Sequence, residues 1–206
     1  MIFEAICVGP MQVNCYILAE EKNSPAIIID PGYEEKKIKK ILEKHKLQPA
    51  FIINTHGHID HIGCDDKFNV PVYIHEADLA LLKDPRLNLS AMFGLPYQVS
   101  SQVNTLKDKE SLNLGKIRLE VMHTPGHTPG GICLHMVSPE DKILFSGDTL
   151  FYHSIGRTDM QGADENVLID SINKKLLKLS DDTVIYPGHG PSSNIKEERL
   201  HNPFLN

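Results

Sequence analysis

The chain has 206 residues, 41% of them hydrophobic and 23% charged, and a formal net charge of −6. This is ordinary globular usage, which excludes a fibre or a disordered segment, and the length suits a single domain over 1–206 that buries a core without staples. The negative balance excludes a nucleic-acid partner, whose affinity rests on Lys and Arg neutralising phosphates. No apolar run approaches the roughly 20 residues of a membrane span, so no membrane partner is expected.

The N-terminus, Met1 to Pro10, carries Glu4 inside its apolar stretch and no positive region, so it reads as a first strand rather than a signal peptide. Cys7 to Ala19 holds two apolar runs broken at Gly9-Pro10, the pattern of a β-hairpin. Pro25 to Asp30 is a buried strand by its β-branched density, ended by the turn residues Asp30-Pro31-Gly32. Glu34 to Leu47 places Ile38, Ile41 and Leu42 at helical spacing, with Lys36, Lys37, Lys39 and Lys40 on a solvated face. Strands follow at Ala50–Asn54 and Val70–Ile74, then a helix over Glu76–Lys83 stopped by Asp84-Pro85. Leu87 to Val99 is a loop rich in apolar residues, assigned to local packing more than to a pocket. Further strands are expected at Ile117–Met122, Gly131–Val137 and Lys142–Ser146. Asp164 then caps a helix with Leu168, Ile172, Leu176 and Leu179 on its apolar face, and a last strand covers Thr183–Tyr186. Strands with helices interspersed in both halves predict an α+β protein of two sheets between helices.

The unusual feature is histidine, with eleven in the chain. Thr55-His56-Gly57-His58-Ile59-Asp60-His61 packs three of them and an aspartate directly after a predicted buried strand. Residues two apart do not share a helix face, so this segment reads as a loop wrapped around something. Imidazole and carboxylate are the ligands that zinc and its neighbours take. A purely structural role would leave four buried polar groups without partners. Three later positions each follow a predicted strand and sit beside glycine: His127 in Pro125-Gly126-His127, Asp148 in Ser146-Gly147-Asp148, and His189 in Pro187-Gly188-His189-Gly190. Each alone would pass for a loop residue; together with the cluster they make seven candidate metal ligands. The four cysteines, Cys7, Cys15, Cys64 and Cys133, show no C-x-x-C spacing and read as reduced thiols of a cytoplasmic protein, with Cys64 a packed apolar residue rather than a ligand. The remaining histidines, His45, His75, His123, His135, His153 and His201, read as surface residues or supports behind the cluster, with His153 the candidate to face the cleft.

The ordered set His56/His58/Asp60/His61, His127, Asp148 and His189 resembles the metallo-β-lactamase fold superfamily, and more narrowly its glyoxalase II-like short bacterial hydrolases. Ser154 to Asp159 and the closing Asn202-Pro203-Phe204-Leu205 share that resemblance. It implies a four-layer αββα sandwich with the site at the edge of both sheets. It also implies that His56, His58 and His127 bind one divalent metal ion, that Asp60, His61 and His189 bind a second, and that Asp148 bridges them. Zinc is the first expectation, with iron or manganese as alternatives. Two departures stand out. The C-terminal helical domain that helps full-length glyoxalase II hold glutathione would begin about where this chain ends, and Arg157-Thr158-Asp159 also resembles the iron-dependent persulfide dioxygenases.

Metal coordination lowers the pKa of water from 15.7 to about 7, so the expected reaction is hydrolysis of a small thioester, similar to an S-2-hydroxyacylglutathione. A thiolate, with a conjugate-acid pKa near 8.5, leaves without a strong general acid. Asp60 and Asp148 are the catalytic carboxylates of this reading, and Arg157 either pairs with a substrate carboxylate or makes a structural ion pair. The alternative is a mononuclear iron persulfide dioxygenase on His56, His127 and Asp148. A non-catalytic metal-binding module ranks lower, because structural zinc sites are closed four-coordinate cages.

Overall fold

Apolar, β-branched runs build two six-stranded sheets in the computed structural model, which describes residues 1–139 and 142–205. The first sheet takes β1 (Ile2–Val8), β2 (Val13–Ala19), β3 (Pro25–Ile29), β4 (Gln48–Ile53), β5 (Val72–His75) and β6 (Val103–Leu106) in that order. The first three strands are antiparallel neighbours and the last four are parallel ones. Next come β7 (Ser111–Leu114), β8 (Ile117–His123), β9 (Ile132–Ser138) and β10 (Ile143–Gly147), which form an antiparallel meander. A short hairpin of β11 (Leu150–Phe151) and β12 (Ser154–Ile155) stands apart. The second sheet is completed by β13 (Val184–Pro187), parallel to β10, and β14 (Ser193–Asn194).

Alternation along the strands creates the layers. In β3, Ala26 and Ile28 enter a core shared with Ile38 and Leu42 of helix α1 (Glu35–His45). Ile27 and Ile29, facing the other way, meet Leu119, Val121, Leu134 and Phe145 of the second sheet. Leu144 of β10 turns outward to Leu168 and Ile172 of helix α3 (Glu165–Lys174), while its neighbours Ile143 and Phe145 face inward. Strands covered on both faces read as continuous hydrophobic runs, and helix, sheet, sheet and helix stack as the expected αββα sandwich. Asp164 caps α3 as expected, accepting from Val167 N–H at 3.1 Å. No helix among the described residues is long and apolar enough to cross a membrane.

Several local expectations need correction. The Glu76–Lys83 segment is not an α-helix; only Glu76–Asp78 forms a 3₁₀ turn and further turns follow. Its Asp78 side chain is buried and accepts three hydrogen bonds from elsewhere, a tertiary demand that outweighs helix pattern. The histidine segment is not loop throughout, since Ile59–Ile62 makes one helical turn, α2. Helix α3 ends at Lys174, and Leu176 reaches the same core from a following 3₁₀ turn. Strands β6 and β7 and helix α4 (Ile195–His201) carry no clean apolar period and were not foreseen.

Replacing Ile28, fully buried between the first sheet and α1, by Ala is expected to cost about 2–5 kcal/mol in equilibrium urea unfolding. A change below about 0.5 kcal/mol would contradict this packing.

Candidate metal centre

Strand ends from both sheets supply the site. His56 and His58 follow β4, and Asp60 and His61 ride on α2. His127 follows β8, Asp148 follows β10 and His189 follows β13. The two sheets meet here: Asn14 N–H of β2 donates to the Gly188 carbonyl at 2.7 Å, and Tyr16 Oη donates to the Pro187 carbonyl at 2.6 Å. Gly188 itself must be glycine, because a methyl group there would strike Asp148 Oδ1 and His61 Cε1.

All seven sequence-predicted ligands converge. His56, His58 and His127 bring ligand atoms within 4.8 Å of one another, and so do Asp60, His61 and His189. His127 Nε2 lies 3.0 Å from His58 Nδ1 and 3.3 Å from His56 Nε2. Asp148 stands between the two groups. Its Oδ1 is 3.5 Å from His61 Nε2, and its Oδ2 is 3.6 Å from His127 Nε2 and 3.5 Å from His189 Nε2. Asp60 Oδ2 lies 3.3 Å from His189 Nε2.

The far side of each ring decides which nitrogen faces inward. His127 Nδ1–H donates to the Arg157 carbonyl at 2.8 Å, and His189 Nδ1–H to the Met11 carbonyl at 3.0 Å, so both rings turn Nε2 toward the centre. His61 Nδ1 lies 3.0 Å from Asp30 Oδ2. Asp30 is a residue that the sequence reading assigned only to a turn. It is buried, adopts φ +51°, and its carboxylate accepts from Thr55 N–H and Thr55 Oγ1, each at 2.7 Å. Asp78 was hidden inside the expected helix. It accepts from Gly57 N–H at 3.1 Å, Thr128 Oγ1 at 2.7 Å and Gly130 N–H at 2.6 Å, and so ties the His56–His58 segment to the His127 loop. The signal for both was an aspartate next to a strand end, which alone does not distinguish a cap from a buried support.

Electrostatics divide the site. Burial and the neighbouring histidines hold His56 well below the ordinary imidazole value, and burial with His127 brings His58 down to about 3. Burial opposes charge on His61 as well, but Asp148, Asp60 and Asp30 overcome it and push that ring up to about 10. Asp60 would be raised by burial, yet His61 and His189 hold it below the usual carboxylate range.

A cation fits these residues. Asp148 Oδ1 and His61 Nε2 are buried with no hydrogen-bond partner. His56, His58 and His127 gather ring nitrogens within 4.8 Å of one another. Imidazole and carboxylate are the donor set of zinc, iron and manganese.

Five of the seven, His58, Asp60, His127, Asp148 and His189, floor a cleft of about 450 Å³, with His56 and His61 behind them. Arg157 lines it, and Nε and Nη2 of its guanidinium donate to the two Asp159 carboxylate oxygens at 2.9 Å each, the ion pair that was one of its two expected roles. Leu89, Met92 and Phe93 also line it, a correction to their assignment to local packing; Tyr97 of the same segment does join the core. His153 does not face the cleft and instead meets Glu197 Oε1 at 2.8 Å on the surface. Cys64 is buried in the core, as expected.

The model of the metallo-β-lactamase superfamily matches residues 8–189. The chain belongs to this superfamily. It is 36% identical to the hydroxyacylglutathione hydrolase GloC of Haemophilus influenzae, over 100% of this chain and 99% of that one. Among solved structures it is similar to the BLEG-1 B3 metallo-β-lactamase, with TM-score 0.90, 40% identity and 99% of each chain covered. TTHA1623, crystallised in a di-iron-bound form, gives TM-score 0.83 and 35% identity over 98% of this chain and 100% of that one. The chain is thus a member of a metallo-hydrolase superfamily, and its clustered His and Asp groups suggest divalent metal binding.

Two outcomes test the centre. Asp148→Ala should lose bound metal in elemental analysis after dialysis, whereas Asp30→Asn, one step removed, should weaken metal affinity by about 10–100-fold in chelator competition. Because imidazoles must be unprotonated to ligate and His61 sits near 10, loading metal-free protein at pH 7 should release protons to a weak buffer, and affinity should fall as pH drops. Loading with no proton release would contradict the placement of His61.

Proposed function

We propose that the chain is a dinuclear metal-dependent hydrolase of small thioesters. The observation that carries this reading is the position of Asp148, whose two oxygens reach toward both ligand groups at once. His56, His58 and His127 would hold one cation, Asp60, His61 and His189 a second, and Asp148 both. When bound, divalent cations supply Lewis acidity, which lowers the pKa of water toward about 7 and polarises a carbonyl.

The remaining work falls to the chain's own groups. Asp60 lines the cleft and stays ionised, so it can accept a hydrogen bond from the attacking water and aim the oxygen at the acyl carbon. It is a poor proton donor for the same reason. A thioester tolerates that, because its thiolate leaves with a conjugate-acid pKa near 8.5. Water adds its oxygen to the acyl carbon, the C–S bond breaks, and the thiolate takes up a proton. With substrate covering them, the apolar walls of the cleft would exclude other water and strengthen each of these contacts. The hydroxyacylglutathione hydrolase relative supports a thioester over an amide, and the di-iron-bound relative supports a pair of cations.

The rival reading, a mononuclear iron persulfide dioxygenase, uses His56, His127 and Asp148, which lie within the same constellation. Elemental analysis of freshly purified protein, followed by thioester and oxygen-uptake assays on that sample, separates the two. The expected result is about two divalent ions per chain with thiol release from a thioester. One iron per chain, with oxygen consumed in the presence of glutathione persulfide, would reject the hydrolase.

A further inference from the structure

The wall of the cleft has a chemistry of its own. Leu89, Met92 and Phe93 reach it from the 87–97 segment, and Met11, Phe151 and Met160 reach it from three other places in the chain. Met92 is 78% exposed and Phe93 56%, unusual for such side chains, and they stand at the edge of the one cleft that contains the metal ligands. Apolar side chains left in water around a reactive site mark a surface that an apolar ligand covers. Three of the six are methionines, flexible thioethers that adapt to chains of varied shape.

The charges point the same way. Among the described residues that line the cleft, Arg157 is the only Lys or Arg, and its guanidinium is engaged by both oxygens of Asp159. Asp159 already neutralises that single cationic side chain, so the lining offers a substrate carboxylate no Lys or Arg whose charge is unmatched. A glutathione carrier brings two carboxylates that this lining leaves unmatched, and a hydrocarbon acyl group adds none.

We infer that the substrate is a thioester of a hydrocarbon acyl chain, which lies against Met92 and Phe93, on a thiol carrier that presents no carboxylate to the cleft. This inference rests on the thioesterase reading and narrows its substrate class. The reaction is unchanged: water cleaves the C–S bond, releasing a fatty acid and a thiol.

The test crosses two acyl groups with two carriers. With metal-loaded protein, kcat/KM is measured for the hexanoyl and lactoyl thioesters of N-acetylcysteamine and of glutathione. A buried methylene is worth about fourfold, so hexanoyl should exceed lactoyl by at least about tenfold on either carrier. Glutathione should bring no gain over N-acetylcysteamine. Phe93→Asp, at an exposed position that the fold does not need, should shrink the hexanoyl-to-lactoyl ratio toward one. Preference for lactoyl, or a gain of about tenfold or more from the glutathione carrier, would overturn this inference and leave the thioesterase reading standing. Turnover of none of the four would overturn that reading as well.

Discussion

Imidazole lone pairs and carboxylates gathered in a site shielded from water repel one another unless positive charge is placed among them. That constraint governs this structure. His56, His58 and His127 face ring nitrogens toward a common point, and Asp60 and Asp148 add negative charge beside it. Protons or cations must supply the balance. In the protein alone His61 takes up that role, held charged by Asp148, Asp60 and Asp30 against the cost of burial. A divalent cation would replace the proton and satisfy two buried atoms, Asp148 Oδ1 and His61 Nε2, that have no hydrogen-bond partner.

The rest of the fold serves to make that crowding unavoidable. Both sheets direct strand ends to one edge, and hydrogen bonds from β2 to the Pro187–Gly188 turn lock the His189 loop against the first sheet. Asp30 and Asp78 act from behind the ligands. Asp30 holds a left-handed backbone, a conformation that costs about 1–3 kcal/mol, and its carboxylate is held by Thr55 while it faces His61. Asp78 joins the two histidine loops through three hydrogen bonds. Fixed rings of this kind reduce the reorganisation needed when charge develops on a substrate.

Much of this was legible in the residue order. The isoleucines of β3 and the run around Leu144 announce strands buried on both faces, and Leu168 with Ile172 announces the helix that covers one of them. The seven converging His and Asp residues were legible because glycines and strand ends flank them. What escaped was decided by tertiary contact. Val103–Leu106 and Ser111–Leu114 are short edge strands whose pairing partners supply the signal that their own sequences lack. Asp78 breaks an apparent helix because its side chain is needed elsewhere. Arg157 matters in a way its charge concealed: its backbone carbonyl orients His127, while its guanidinium is spent on Asp159.

The apolar wall of the cleft completes the picture, since a reactive floor and a hydrophobic surround are what hydrolysis of an uncharged acyl group requires. The central claim concerns the floor, and anomalous diffraction from crystals of the metal-loaded protein tests it most directly. The account predicts two anomalous peaks per chain, one among His56, His58 and His127 and the other among Asp60, His61 and His189, with Asp148 touching both. Ions absent from those two positions, or an Asp148 side chain turned away from them, would contradict it.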